Sequence, residues 1–214
     1  MGHKLYTTGY IMGELSKSLG VIMARDGRTE FEVLLGLSSA HIPTLVEYAN
    51  DARDTAAAAF TSDLKRFGTP EKVEEWLAEE RLVYTLVQRG SSRYSGILWL
   101  REEMMKHVSG VHPDVDVKNY KNTFAIRVHG EDTRGQGLAV PFMRLAIPDY
   151  IAERRARNAN ENIWLATSVG NRPAVHVYEK FGYEHASIDH EPTGDLEKDA
   201  NTKIYMIYNA GLAA

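Results

Sequence analysis

Short runs in which hydrophobic positions alternate with polar ones, or crowd together, recur along the chain and read as strands. Phe124, Ile126 and Val128 alternate with Ala125, Arg127 and His129, the period of two that a half-buried strand requires. Residues 82–88 and 94–100 form two further runs across a turn at Gly90-Ser91-Ser92, and residues 163–168 form another. Near the front, Val21-Ile22-Met23-Ala24 and the run from Thr29 to Leu35 flank Arg25-Asp26-Gly27-Arg28. Asp-Gly between β-prone runs predicts a hairpin. At the end, Ile204, Met206 and Tyr208 alternate with Tyr205 and Ile207, apolar on both faces, as suits a central or interface strand. A strand over 186–188 is expected before it, with an acidic connection, 189–202, that is not expected to pack.

Helical spacing marks other segments. Ile42, Leu45, Val46 and Ala49 recur at intervals of three and four, an alanine-rich stretch covers 55–60, and Thr69-Pro70 opens a helix presenting Val73, Trp76 and Leu77. Residues 140–151 form a helical run with Pro141 in its first turn, but Pro148 within it predicts a bend or break near Ile147. Asn171 as N-cap, Pro173 in the first turn and Gly182 as a stop bound a short helix, with Ala174, Val177, Tyr178 and Phe181 on one face. Between the strands, 101–120 is polar and irregular, with Pro113, and reads as a loop.

Two of these segments carry candidate chemistry. Arg134-Gly135-Gln136-Gly137-Leu138-Ala139 lies between a strand and a helix, where glycines admit close backbone approach and the first helical amides have no partner inside the helix. Such a junction binds an anion such as pyrophosphate, or is an ordinary glycine turn. Tyr178 is either a core tyrosine or a phenol turned to catalysis.

Taken together, the segments resemble the GNAT superfamily of N-acetyltransferases. Its acetyl-CoA signature, Gln/Arg-x-x-Gly-x-Gly/Ala, is matched by Arg134 to Ala139, and its next motif, Asn-x-x-Ala-x-x-x-Tyr-x-x-x-Gly-Phe/Tyr, by Asn171, Ala174, Tyr178, Gly182 and Tyr183. Order and separation agree as well. The resemblance implies an α/β (α+β) fold with a mixed, mostly antiparallel central sheet flanked by helices on both faces. It also implies an acetyltransferase domain over 31–214, preceded by an extension, 1–30, that contributes part of a hairpin.

The same resemblance implies roles for particular residues. Backbone amides of Gly135, Gln136, Gly137, Leu138 and Ala139, beside Arg134, hold the pyrophosphate of acetyl-CoA. Ile126, Arg127 and Val128 pair their main chain with the pantetheine arm, Asn171 and Ala174 adjoin it, and Tyr178 protonates the departing thiolate as general acid. In the histone-modifying branch a glutamate precedes the cradle, and here that position holds Lys121. His129 and Glu131 are the candidates for the base, alongside a water relay, while a solvated strand-end role remains open for His129. Glu102, Glu103 and His107 are candidates for contacting the acceptor, or are solvated loop charges. Arg154-Arg155-Ala156-Arg157 reads as the solvated last turn of a helix, with coenzyme phosphate binding as the alternative.

Composition narrows the remaining choices. The 214 residues carry 25 basic and 29 acidic side chains, a net charge of −4, which disfavours nucleic acid as a partner and suits a cationic amine acceptor. No cysteine is present, so an acetyl-cysteine intermediate is excluded and direct transfer in a ternary complex is the expectation. Eight histidines show no metal-binding spacing, and no metal is expected. With no apolar run of membrane-spanning length and no secretion-signal pattern, the expected address is the cytoplasm. The two-faced final strand makes a homodimer an expectation. A non-catalytic acyl-CoA sensor remains the rival reading. A phosphotransferase is disfavoured because no Gly-Lys-Ser/Thr follows the glycines.

Overall fold

Asp26 closes the first turn of the computed structural model, which describes residues 17–51, 61–91, 93–106, 108, 110–187 and 193–212. Its carboxylate accepts from the amides of Arg28 (2.8 Å) and Thr29 (2.9 Å) and from the Thr29 hydroxyl (2.6 Å). The turn joins β1 (Ser18–Met23) to β2 (Glu30–Leu35) as an antiparallel pair, the hairpin expected from Asp-Gly. After β2 come three helices, α1 (Ile42–Ala49), α2 (Asp63–Phe67) and α3 (Pro70–Ala78), then β3 (Leu82–Gln88), β4 (Arg93–Glu102) and β5 (Asn122–Val128). The remainder runs α4 (Ala139–Ala156), β6 (Ile163–Ser168), α5 (Arg172–Phe181), β7 (Glu184–His185), α6 (Leu196–Asn201) and β8 (Lys203–Tyr208). Residues 1–16, the alanine-rich 55–60, Ser92, His107 and 188–192 lie outside the described residues.

The strands form one sheet ordered β1-β2-β3-β4-β5-β6-β8-β7, in which β5 and β6 are parallel and every other neighbouring pair is antiparallel. Strand alternation sorts side chains to its two faces. On one, Leu98, Leu100, Phe124 and Ile126 pack beneath α4 and α5 against Phe142, Met143 and Tyr178. On the other, Ile97 and Trp99 pack beneath α1, α2 and α3, where Phe67, Trp76 and Trp99 meet edge to face with centroids 4.9 to 5.9 Å apart.

In five places the structure departs from the expectations above. Helix α4 runs unbroken through Pro148: this residue is exposed, so the carbonyl that loses its amide partner lies on the solvated side, where water can replace the bond. The segment after β4 is no bare loop, because Met105, Val111 and Tyr120 form a third core with Ala186 and Ile207. The acidic connection does pack: α6 is capped by Asp195, and Asp199, 4% exposed, accepts from the Thr193 and Gly194 amides. Arg154 is buried rather than solvated, held by the Asn160 carbonyl and Glu102. The expected strand over 186–188 is displaced to β7, whose partner β8 is central, with Ile204 and Met206 buried on one face and Ile207 on the other.

Candidate active site

Strands β5 and β6 pair at only two positions, Asn122 with Ile163 and Thr123 with Trp164. Both continue beyond that point, so a wedge opens between them toward their C-terminal ends. Its closed end is pinned by the fully buried Asn122. The amide group of this side chain donates to the carbonyls of Asn160 (2.8 Å) and Asn162 (2.9 Å) and accepts from the Tyr150 hydroxyl (2.7 Å). Nothing in the sequence singled out Asn122, because its partners come from α4 and the approach to β6.

Along the wedge, main-chain groups of β5 alternate between β4 and the open side. The Arg127 carbonyl faces Gly96 on β4, within 2.7 Å of where a Cβ on that glycine would stand. The carbonyls of Ile126 and Val128 therefore face the opening. Side chains occupy them: Arg127 Nη1 donates to Ile126 O (2.8 Å) and Arg134 Nε to Val128 O (3.3 Å).

At the mouth of the wedge lies the glycine segment. Gly135 and Gly137 have φ of 75° and 74°, a left-handed conformation that glycine takes without the steric cost of a side chain. A Cβ at Gly135 would meet nothing within 4 Å, and one at Gly137 would approach only the Arg25 guanidinium, so the concavity is open. The first hydrogen bond of α4 runs from Phe142 to Leu138. Among the described residues the amides of Gly135, Gly137, Leu138, Ala139 and Val140 have no acceptor. Five donors converging at the positive end of an 18-residue helix suit a polyanion.

Helix α5 places the phenol. Its apolar face packs on the sheet, and Gly182, with φ of 118°, ends it. Asn171 does not cap it as expected: the side chain turns back to donate to Thr167 Oγ1 (3.4 Å). Tyr178 lies edge-on to Phe124 at 5.6 Å and is 6% exposed, yet its hydroxyl makes no hydrogen bond among the described residues. Burial raises its pKa above the ordinary tyrosine value, partly opposed by the Arg127 guanidinium. The phenol is thus protonated at neutral pH.

Other candidates fall in different places. His129 is buried rather than solvated, stacked on Tyr48 (4.7 Å, 6° between rings) and tilted against Tyr94 (5.6 Å). Glu131 is exposed in the loop before the cradle. Glu102 is tied to Arg154 on the α4 side of the sheet, whereas Glu103 pairs with Arg101 and its carbonyl accepts from Trp164 Nε1 (2.7 Å) beside the wedge. His107 is outside the described residues. Sequence reasoning missed Asp63, 7% exposed, whose Oδ2 accepts from Arg127 Nε (2.7 Å) on the α2 side. No spacing signal could have found it. The Arg154 to Arg157 cluster ends α4, about 26 Å from the cradle at 1.5 Å per residue, so it does not serve the anion site. Among the described residues no group of three His, Cys, Asp or Glu could hold a metal, and no helix is long and apolar enough to cross a membrane.

Residues 124–183 match the family model described as the acetyltransferase (GNAT) family. No curated protein matches the chain. Among solved structures, the chain is similar to spermidine N-acetyltransferase from Vibrio cholerae in complex with CoA and spermine (14% identity, TM-score 0.55, covering 82% of this chain and 94% of that one). It is also similar to ribosomal-protein-S5-alanine acetyltransferase from Vibrio fischeri (14%, 0.57, 83% and 92%) and to an acetyltransferase of the GNAT family from Streptococcus pneumoniae (20%, 0.53, 82% and 97%). At these identities the likeness is one of fold, and the fold is that of the GNAT acetyltransferases.

Proposed function

From a chain whose residues 124–183 match the acetyltransferase (GNAT) family and whose sheet has the fold of solved GNAT enzymes, we propose an acetyl-CoA-dependent N-acetyltransferase. It acts on a primary amine by direct attack in a ternary complex. One observation carries the reading: a wedge between β5 and β6 has free helix-N-terminal amides at its mouth and a protonated phenol on its wall. The residues present fit acetyl-CoA, since the cradle is open where a polyanion would lie and two carbonyls face the wedge where an amide-bearing arm would pair.

When bound, acetyl-CoA supplies an activated acyl group as a thioester. The free amides of Gly135, Gly137, Leu138, Ala139 and Val140 hold its pyrophosphate, with the α4 dipole favouring the charge, whereas the Gln136 amide is spent on the Thr133 carbonyl. Ile126 and Val128 pair with the pantetheine arm once Arg127 and Arg134 release their carbonyls. Asn171, whose side chain is not spent on capping, and Ala174 line the opposite wall. As the amine nitrogen bonds to the carbonyl carbon and the carbon–sulfur bond breaks, Tyr178 gives its proton to sulfur. The proton lost by the amine goes to solvent through water or to His129 or Glu131. Glu103 belongs with the acceptor side because it adjoins Trp164 next to the wedge.

The test is thiol release from acetyl-CoA by the purified protein across polyamines, amino acids, aminoglycosides, and peptides with free N-termini or internal lysines. Spermine and alanine-terminated peptides head the panel, given the acceptors named for the two Vibrio structures. Amine-dependent release is expected. Binding of acetyl-CoA with no release on any acceptor would replace this reading with that of an acyl-CoA sensor.

A further inference from the structure

The β1–β2 turn, which the reaction above leaves without a task, is docked on the cradle. The Arg25 amide donates to the Gln136 carbonyl at 2.9 Å, fixing the turn against the middle of the glycine segment. The Arg25 guanidinium lies over Gly137, with Nε and Nη2 each 4.0 Å from the point a Cβ there would occupy. It forms no hydrogen bond and no ion pair among the described residues. Asp26 does not claim it, being turned inward onto Arg28 and Thr29. Anchored through its main chain, Arg25 thereby places a cation that is unpaired among the described residues on one side of a concavity whose other side is a row of free amides.

We infer that Arg25 closes the cradle over the pyrophosphate of bound acetyl-CoA, a role that rests on the acetyl-CoA reading above. A guanidinium presents planar donors suited to phosphate oxygens, and its charge-assisted bonds are stronger than those of the neutral amides. The edge hairpin, distant in sequence from the motif segments, thus contributes a coenzyme-binding residue that they do not contain. Because Arg25 meets the cradle through its main chain, replacing the side chain leaves the docking bond in place.

Calorimetric titration of wild type, Arg25→Gln and Arg25→Lys with CoA and with 3′-dephospho-CoA tests the role, with turnover of S-acetylpantetheine, which lacks every phosphate, measured in parallel. Arg25→Gln should weaken both coenzymes about tenfold, as loss of one charge-assisted phosphate contact does. Arg25→Lys should recover part of the loss, and kcat/KM for S-acetylpantetheine should not change. Equal affinities for wild type and Arg25→Gln would overturn the inference, as would a loss seen with CoA but not with 3′-dephospho-CoA, which would move Arg25 to the 3′-phosphate. Failure of the wild type to bind CoA would instead sink the acetyl-CoA reading itself, and the Arg25 role with it.

Discussion

Arg127 donates from Nε to the buried carboxylate of Asp63 and from Nη1 to the carbonyl of Ile126, so one side chain links α2 to the wall of the wedge. The guanidinium also lies over Trp99 at 5.5 Å. Removing Asp63 would leave this cation partly buried without its anion. Asp63→Ala is expected to lose about 3 kcal/mol of stability, and Asp63→Ala with Arg127→Leu less than the sum of the single changes. Urea unfolding of the two single variants and the double variant checks this. Strict additivity would show that the pair is not coupled.

Tyr178→Phe should still bind acetyl-CoA while kcat falls by about 10² to 10⁴, the range for loss of a general acid. Wild-type turnover on an amine checks it, and an unchanged kcat would remove Tyr178 from the chemistry.

The pH dependence of the same residue has a definite sign. Its folded pKa is raised, so the proton donor is intact through the neutral range and the phenol places no alkaline limb on kcat below pH 10. For stability, the protonated form is the favoured one: the contribution is full below the unfolded value of 10.0 and is lost as pH rises past it. A kcat profile from pH 6 to 10 tests the first statement, and unfolding followed from pH 8 to 12 tests the second.

Gly135→Ala and Gly137→Val separate backbone strain from obstruction of the cradle. Both place a side chain at positive φ, costing about 1 to 2 kcal/mol each. At Gly135 no atom lies within 4 Å of the added Cβ, whereas at Gly137 the side chain would press toward Arg25. Both variants should be less stable, and Gly137→Val should in addition lose most coenzyme affinity. If Gly137→Val bound CoA as wild type does, the cradle would be misplaced.

Asp26 is held at about 2 against an ordinary 3.8, mainly by the Thr29 hydroxyl and then by the amides of Thr29 and Arg28. A carboxyl with a depressed folded value contributes stability above about pH 4 that is lost as pH falls toward 2. The turn should therefore loosen in acid, seen as faster hydrogen exchange at the Thr29 amide in Asp26→Asn at pH 6 than in wild type. Equal protection would show that the carboxylate does not hold the turn.

Short-range signals made much of this protein legible. Asp26-Gly27 set the first hairpin because few dipeptides satisfy such a turn, and Gly182 ended α5 because it accepts the left-handed conformation there. The alternation through Phe124, Ile126 and Val128 marked the strand that forms one wall of the wedge. Together with the glycine segment, these residues carried the acetyltransferase resemblance, which concerns contiguous backbone and nearby side chains.

Tertiary structure decided what depends on residues far apart in the chain. Where β5 and β6 pair before they part is fixed by Asn122, gripped by Asn160, Asn162 and Tyr150, none of which its own neighbours announce. Arg154 is buried because the end of α4 happens to face Glu102, and Met105, Val111 and Tyr120 make a core although they share no period. Asp63 meets Arg127, and Arg25 meets Gln136, only once the sheet has brought α2 and the first hairpin beside β5 and its loop. The physical reason is the same throughout. Local sequence dictates backbone conformation and which face of an element is apolar, but the partner of a buried charge or the register of a distant strand is chosen by the packing of the whole chain, where no period or spacing records it.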